Sequence, residues 1–157
     1  MIDHNSHHAR YCELMALASA ASPARQRDGG YMAALYILSA DPELYGLARH
    51  KISSDGIHFS GISSAARRAE LSDSQRTAVK AAHSLFNDGS ASVTPHDLAM
   101  CDYATLDVIT QAMYIWKGGC TITGGEHGEI CLDRSDEASR RSVELFLMAQ
   151  LFDRSNR

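Results

Sequence analysis

The stretch SDSQRTAVKAAHSLFNDGSASVTPHDLAMCDYATLDVITQAMYIWK, Ser72 to Lys117, decides the fold class. Three helix starts can be read in it. Ser72 and Gln75 fit a capping box, in which the serine hydroxyl serves the backbone donor of residue 75 and Gln75 reaches back. The helix that follows gathers Ala78, Val79, Ala82, Leu85 and Phe86 on one face, and Asp88-Gly89 is expected to stop it. Thr94-Pro95, with Asp97 at the third position, opens a short second helix. Asp102 can cap a third, in which Leu106, Ile109, Met113 and Trp116 line one face and Val108, Ala112 and Ile115 broaden it. Gly118-Gly119 ends it.

The same periodicity extends upstream. Tyr11, Leu14, Met15, Ala18 and Ala21 make one apolar stripe of a helix over about 6–21, closed by Ser22-Pro23. A well-buried helix is expected over about 31–39. Asp41-Pro42 is an N-cap with proline at the first helical position of a short helix running to about His50. Residues 50–62 alternate weakly around Asp55-Gly56, as in a small hairpin, and Ala65 to Leu71 can form a helical turn.

Downstream, residues 120–132 pattern as a β-hairpin about Gly124-Gly125. Pairing Ile122 with Ile130 and Cys120 with Leu132 collects one apolar face and leaves Thr121, Thr123, Glu129 and Cys131 on the other. Ser135 then caps a last helix to about Asp153. Its middle, Val143 and Leu145 to Met148, is apolar on nearly all sides, which predicts a buried core helix ahead of an oligomer contact. The expectation is a mainly α, compact helical domain with one or two small β-hairpins. Residues 1–157 form a single domain, with 1–6 as a disordered polar start and 118–157 as a hairpin-plus-helix extension.

Composition narrows the class. The chain has 157 residues, 45% hydrophobic and 22% charged, enough for a core without disulfides or metal. No apolar run approaches the roughly 18 residues of a membrane span. The polar, His-rich start lacks the apolar centre of a signal peptide, so a cytoplasmic protein is expected. The net charge of −4 argues against a nucleic-acid partner. Arg76, Lys80 and His83 make only a modest basic stripe. Glu126, Glu129, Asp133, Asp136 and Glu137 lie close together, with only Arg134 among them. They are the candidate partner-binding residues, an acidic face for a basic protein surface.

Candidate chemistry is sparse. The cysteines are Cys12, Cys101, Cys120 and Cys131, with no Cys-X-X-Cys pair. Cys120, His127 and Cys131 fit no standard zinc spacing, and the hairpin register turns the two cysteines to opposite sides. The loop after Asn87 fails as a calcium site: aligning Val93 to the apolar eighth position puts Phe86 at the first ligand position and Ala91 where glycine belongs. The glycine pairs make no phosphate loop. No cofactor or metal is expected. Of the histidines, His4 and His8 sit one helical turn apart near the start, and His58, His83 and His96 are isolated. His96-Asp97 with Cys101-Asp102 is the place where a spatial catalytic pair would be sought.

Ala34 to Tyr45, then Ala78 to Asn87 with its Leu85-Phe86-Asn87 ending, then Thr94-Pro95-His96-Asp97-Leu98 leading into Val108 to Trp116, occur in an order that resembles a family of short bacterial and phage proteins classed as a domain of unknown function. The resemblance covers about residues 31–117. Members of that family tend to stop soon after the helix that ends here near Lys117, whereas this chain adds residues 118–157. The resemblance carries no active site. It implies a phage or mobile-element protein, and small proteins of that kind often bind and block a host protein, including defence enzymes. The leading expectation is a non-enzymatic protein-binding module with a host protein as partner. The alternatives are a small enzyme with a spatial His/Asp or His/Cys site, and a structural homo-oligomer formed through the last helix.

Overall fold

The computed structural model describes residues 5–87 and 92–155. It is a mainly α-helical fold with two small antiparallel hairpins. The start of the chain through His4, the helix stop at Asp88-Gly89, and Ala91 lie outside the described residues.

Helix α1 (His7–Ser19) begins at Ser6, whose hydroxyl accepts from the Ala9 N–H. Ser6, expected in a disordered start, is thus an ordered N-cap. Helix α2 (Gly29–Ala40) follows a short 3-10 turn and is capped by Asp28. Every residue from Ala33 to Ser39 is buried, so α2 is the axis of the fold. Helices α1, α5 (Asp73–Phe86) and α7 (Tyr103–Lys117) all pack on it. Burial on every side suits its composition, and its buried serine hydroxyl, Ser39 Oγ, donates to the Tyr36 carbonyl at 3.1 Å.

Helix α3 (Pro42–Ala48) starts at Asp41, whose carboxylate accepts from the Glu43 and Leu44 N–H groups. It stops two residues before His50, in a single 3-10 turn. The weak alternation after it is a two-residue hairpin, β1 (Ile52–Ser53) with β2 (Gly56–Ile57). The expected turn at 65–71 is instead a full helix, α4 (Phe59–Arg68), with Phe59, Ile62 and Ala66 inward. The capping box at Ser72 and Gln75 is present, as is a second at Thr94 and Asp97, which opens α6 (Pro95–Ala99).

The inward face of α7 is Ile109, Ala112 and Ile115, while Met113 and Trp116 are more than half exposed. The face expected around Leu106, Met113 and Trp116 is therefore rotated. The small Ala112 lets α7 approach α2 closely, and the bulkier neighbours are displaced outward. Tyr36 of α2 closes this contact by donating its buried hydroxyl to Gln111, and burial pushes the phenol up to about 12.

Gly118 and Gly119 both take positive φ, which glycine adopts without a Cβ clash, and turn the chain out of α7. Strands β3 (Thr121–Gly124) and β4 (Ile130–Asp133) pair Ile122 with Leu132 and Gly124 with Ile130. This register is shifted by two residues from the expected one. A two-residue shift preserves which side each residue faces, so Cys120, Ile122, Ile130 and Leu132 still pack on the core. Helix α8 (Glu137–Ser155) ends the fold.

Candidate protein-docking surface

Helix α8 is not a core helix. It makes no extended packing with any other described element. Val143, Leu145, Phe146, Leu147, Met148, Leu151 and Phe152 are 52–68% exposed. The expectation of burial fails because α1, α5 and α7 already enclose α2, and the hairpin's apolar residues pack against the same core. Seven such side chains present roughly 700–800 Å² of apolar surface, above the few hundred typical of the largest patch on a monomer.

The root of α8 is held by charge. Arg134 lies 3.8 Å from the ring centroid of Tyr114 and pairs with Glu137, which also binds Arg141. The Arg134 hydrogen bond is the main reason the Glu137 carboxyl is held below its ordinary value. Two turns along α8 from Glu137, Lys117 of α7 meets Glu144 at 3.1 Å. Arg140 lies against the positions where Gly118 and Gly119 would carry Cβ atoms. A cavity of about 450 Å³ opens in the angle between α7 and α8, lined by Tyr114, Lys117, Cys120, Arg140, Val143 and Glu144 among others.

The five acids fall into two groups at opposite ends of the hairpin. Glu126 and Glu129 lie at its tip. The Glu129 carboxylate folds back on the turn and accepts from the His127 N–H at 3.0 Å, and backbone donors lower its pKa. Asp133, Asp136 and Glu137 lie at its base. Asp133 accepts from the Ser135 N–H at 2.9 Å, which stabilises the ionised form. Arg134, Arg140 and Arg141 stand among the basal acids, so this end carries mixed charge.

No chemistry converges at the place where it was sought. Asp97 closes its own capping box, the Cys101 thiol faces the Asp97 carbonyl at 3.4 Å, and Asp102 caps α7. A Cys–His contact does occur in α1, where Cys12 Sγ lies 3.5 Å from His8 Nε2. The two residues stand one helical turn apart in sequence, the spacing that brings side chains together on a helix surface. Burial raises the Cys12 pKa, the opposite of what an activated thiolate needs. His83 stacks on Phe59 at 4.5 Å, and His58 meets the Ser53 hydroxyl at 3.1 Å. Among the described residues no group of three or more His, Cys, Asp and Glu side chains could hold a metal ion. Nor is any described helix long and apolar enough to cross a membrane. The chain matches no family model, no curated protein and no solved structure.

Proposed function

We propose that the chain is a non-enzymatic protein-binding module whose contact element is α8. One observation carries this reading: α8 is apolar on nearly all sides between Val143 and Phe152, yet stands away from its own core. An exposed apolar surface of this size is stabilised when another protein covers it, by about 25 cal/mol per Å² removed from water. The mixed charges at the root of α8 form a polar rim beside it, as binding surfaces commonly have. A narrower reading, a phage or mobile-element protein that blocks a host defence enzyme, rests on the family resemblance of residues 31–117.

A photo-crosslinking residue at position 151, introduced into the full chain in its native host, tests the broader reading. The expected result is a covalent adduct to a protein, lost when Leu147→Arg is added. Absence of any protein adduct, to another protein or to the chain itself, overturns it.

A further inference from the structure

We propose that the cavity between α7 and α8 binds a small organic monocarboxylate, its anionic head held by Arg140 and its apolar body lying along Val143, Tyr114 and Cys120. The cavity measures about 450 Å³, a size suited to small-molecule sites, which run to about 300–1,000 Å³. It lies at the root of α8 and does not depend on what covers the apolar surface further along that helix.

The charges select the ligand. Lys117, Arg140 and Arg141 line the cavity together with Glu137 and Glu144. Both acids are already committed, Glu144 to Lys117 and Glu137 to Arg141 and Arg134. The Arg140 side chain pairs with no carboxylate among the described residues. The wall therefore carries one unbalanced guanidinium, whose fork can donate to both oxygens of a carboxylate. A phosphate dianion would keep a charge unmatched, because the other lining cations are held by acids.

Glycine sets the position of this guanidinium. A Cβ at Gly118 would stand 3.1 Å from a terminal nitrogen of Arg140, and one at Gly119 would stand 2.9 Å from its Cδ. The side chain thus lies against bare backbone where the chain leaves α7, which limits its freedom before a ligand arrives. Val143 stands one turn beyond Arg140 on α8, on the same side of the helix. Tyr114 faces the same cavity from α7, and Cys120 from the start of the hairpin. Burial pushes the Cys120 thiol up, and Arg140 is among the cations that oppose it, so its field reaches this wall. A ligand anchored at Arg140 therefore finds apolar surface on both helices, as a bound anion with a hydrocarbon body requires.

NMR titration of the full-length chain with benzoate, phenylpropanoate and octanoate, each to ~5 mM, tests the proposal. At least one is expected to bind, with shifts centred on the amides of Gly118, Gly119 and Cys120. The matching carboxamide is expected to bind about tenfold more weakly, through loss of the charge-assisted hydrogen bonds. Arg140→Gln should show a similar loss with its thermal midpoint kept, because this side chain is exposed. Val143→Trp fills the cavity from an exposed position and should abolish binding. Binding by none of the three carboxylates overturns the proposal, as does equal binding of the carboxamide or an Arg140→Gln variant that binds like wild type. Shifts centred on Leu147 and Leu151 also overturn it, since they mark adherence to the outer surface of α8. Inorganic phosphate that binds at Arg140 more tightly than every carboxylate overturns the choice of ligand.

Discussion

Arg10 of α1 donates from Nε to the backbone carbonyl of Ser39 at 2.7 Å, and from a terminal nitrogen to that of Ala40 at 3.0 Å. A third donor reaches back to the Asn5 carbonyl. Arg10 is only 6% exposed. Its guanidinium fork therefore caps the C-terminal end of α2, where carbonyls lack helical partners and the helix dipole favours a cation. Arg10→Met should lower unfolding stability by about 3 kcal/mol, since hydrogen bonds from a charged donor contribute about 1.5–3 kcal/mol and buried carbonyls would be left unpaired. Arg10→Lys keeps the charge but not the fork, and should fall between. Urea midpoints at constant slope measure both.

Gly29 and Gly46 both lie in helices, yet Gly→Ala should act in opposite directions at the two sites. A Cβ at Gly29 would stand 2.7 Å from the backbone oxygen of Trp116, a group that cannot swing aside. Gly29→Ala should destabilise by about 1–3 kcal/mol, as overpacking generally does. At Gly46 a Cβ meets nothing within 4 Å. There Ala should stabilise by about 0.4–1 kcal/mol through reduced freedom of the unfolded chain. Thermal midpoints that move the same way for both would contradict this.

Much of the scaffold was legible because its signals are local. The caps at Asp41, Ser72, Thr94 and Asp102 join groups within a few residues of each other, and each is present. The details that escaped depend on distant partners. Which side of α7 turns inward depends on the surface of α2, far away in sequence. Burial of α8 was inferred from its apolar composition, but whether room remains for it depends on how α1, α5, α7 and the hairpin fill the core. The pattern in the hairpin constrains only which side a residue faces, so it left a two-residue shift undetermined. The five acids are close in sequence but separated by the length of the hairpin, and Arg140 and Arg141 join Arg134 among the basal ones from the first turns of α8.

His7 should make the fold sensitive to mild acid. Its Nε2 lies 3.0 Å from the Tyr36 carbonyl, so the neutral ring donates from that nitrogen. Burial lowers its pKa below the ordinary 6.5, with smaller contributions from Arg10 and His8 in the same direction, while the Tyr36 bond opposes them. A lowered pKa in the folded state means that the unfolded chain takes the proton more readily. The stability associated with His7 is therefore complete above pH 6.5 and is lost as pH falls through 6.5 toward the folded value. Urea unfolding at pH 7.5 and 5.5 should show a larger drop for wild type than for His7→Gln. His83, also lowered by burial, contributes to both curves and cancels in the difference.

Gln75 links two helix starts, and its replacement separates two roles. Its side-chain oxygen accepts from the Ser72 N–H at 2.9 Å, while its amide nitrogen donates to Asp41 at 3.1 Å and Glu43 at 3.0 Å. Ser72→Ala removes the cap and should lower stability by about 1 kcal/mol. Gln75→Glu preserves the capping box but turns a donor into a third carboxylate beside Asp41 and Glu43. It should destabilise at neutral pH by up to about 1 kcal/mol and recover as salt is added. A Gln75→Glu variant as stable as wild type in low salt would show that the box alone matters there.

The positive-φ glycines at 118 and 119 set the heading of everything that follows α7. A side chain at either would meet Arg140, which lies across them from α8. Substitution here would strain the left-handed backbone and move Arg140 together, while leaving the contacts of α1, α5 and α7 with α2 untouched. The two glycines therefore work as a fixed elbow. Changes at this joint should re-aim α8 without unfolding the core, altering its reach and angle rather than its apolar composition.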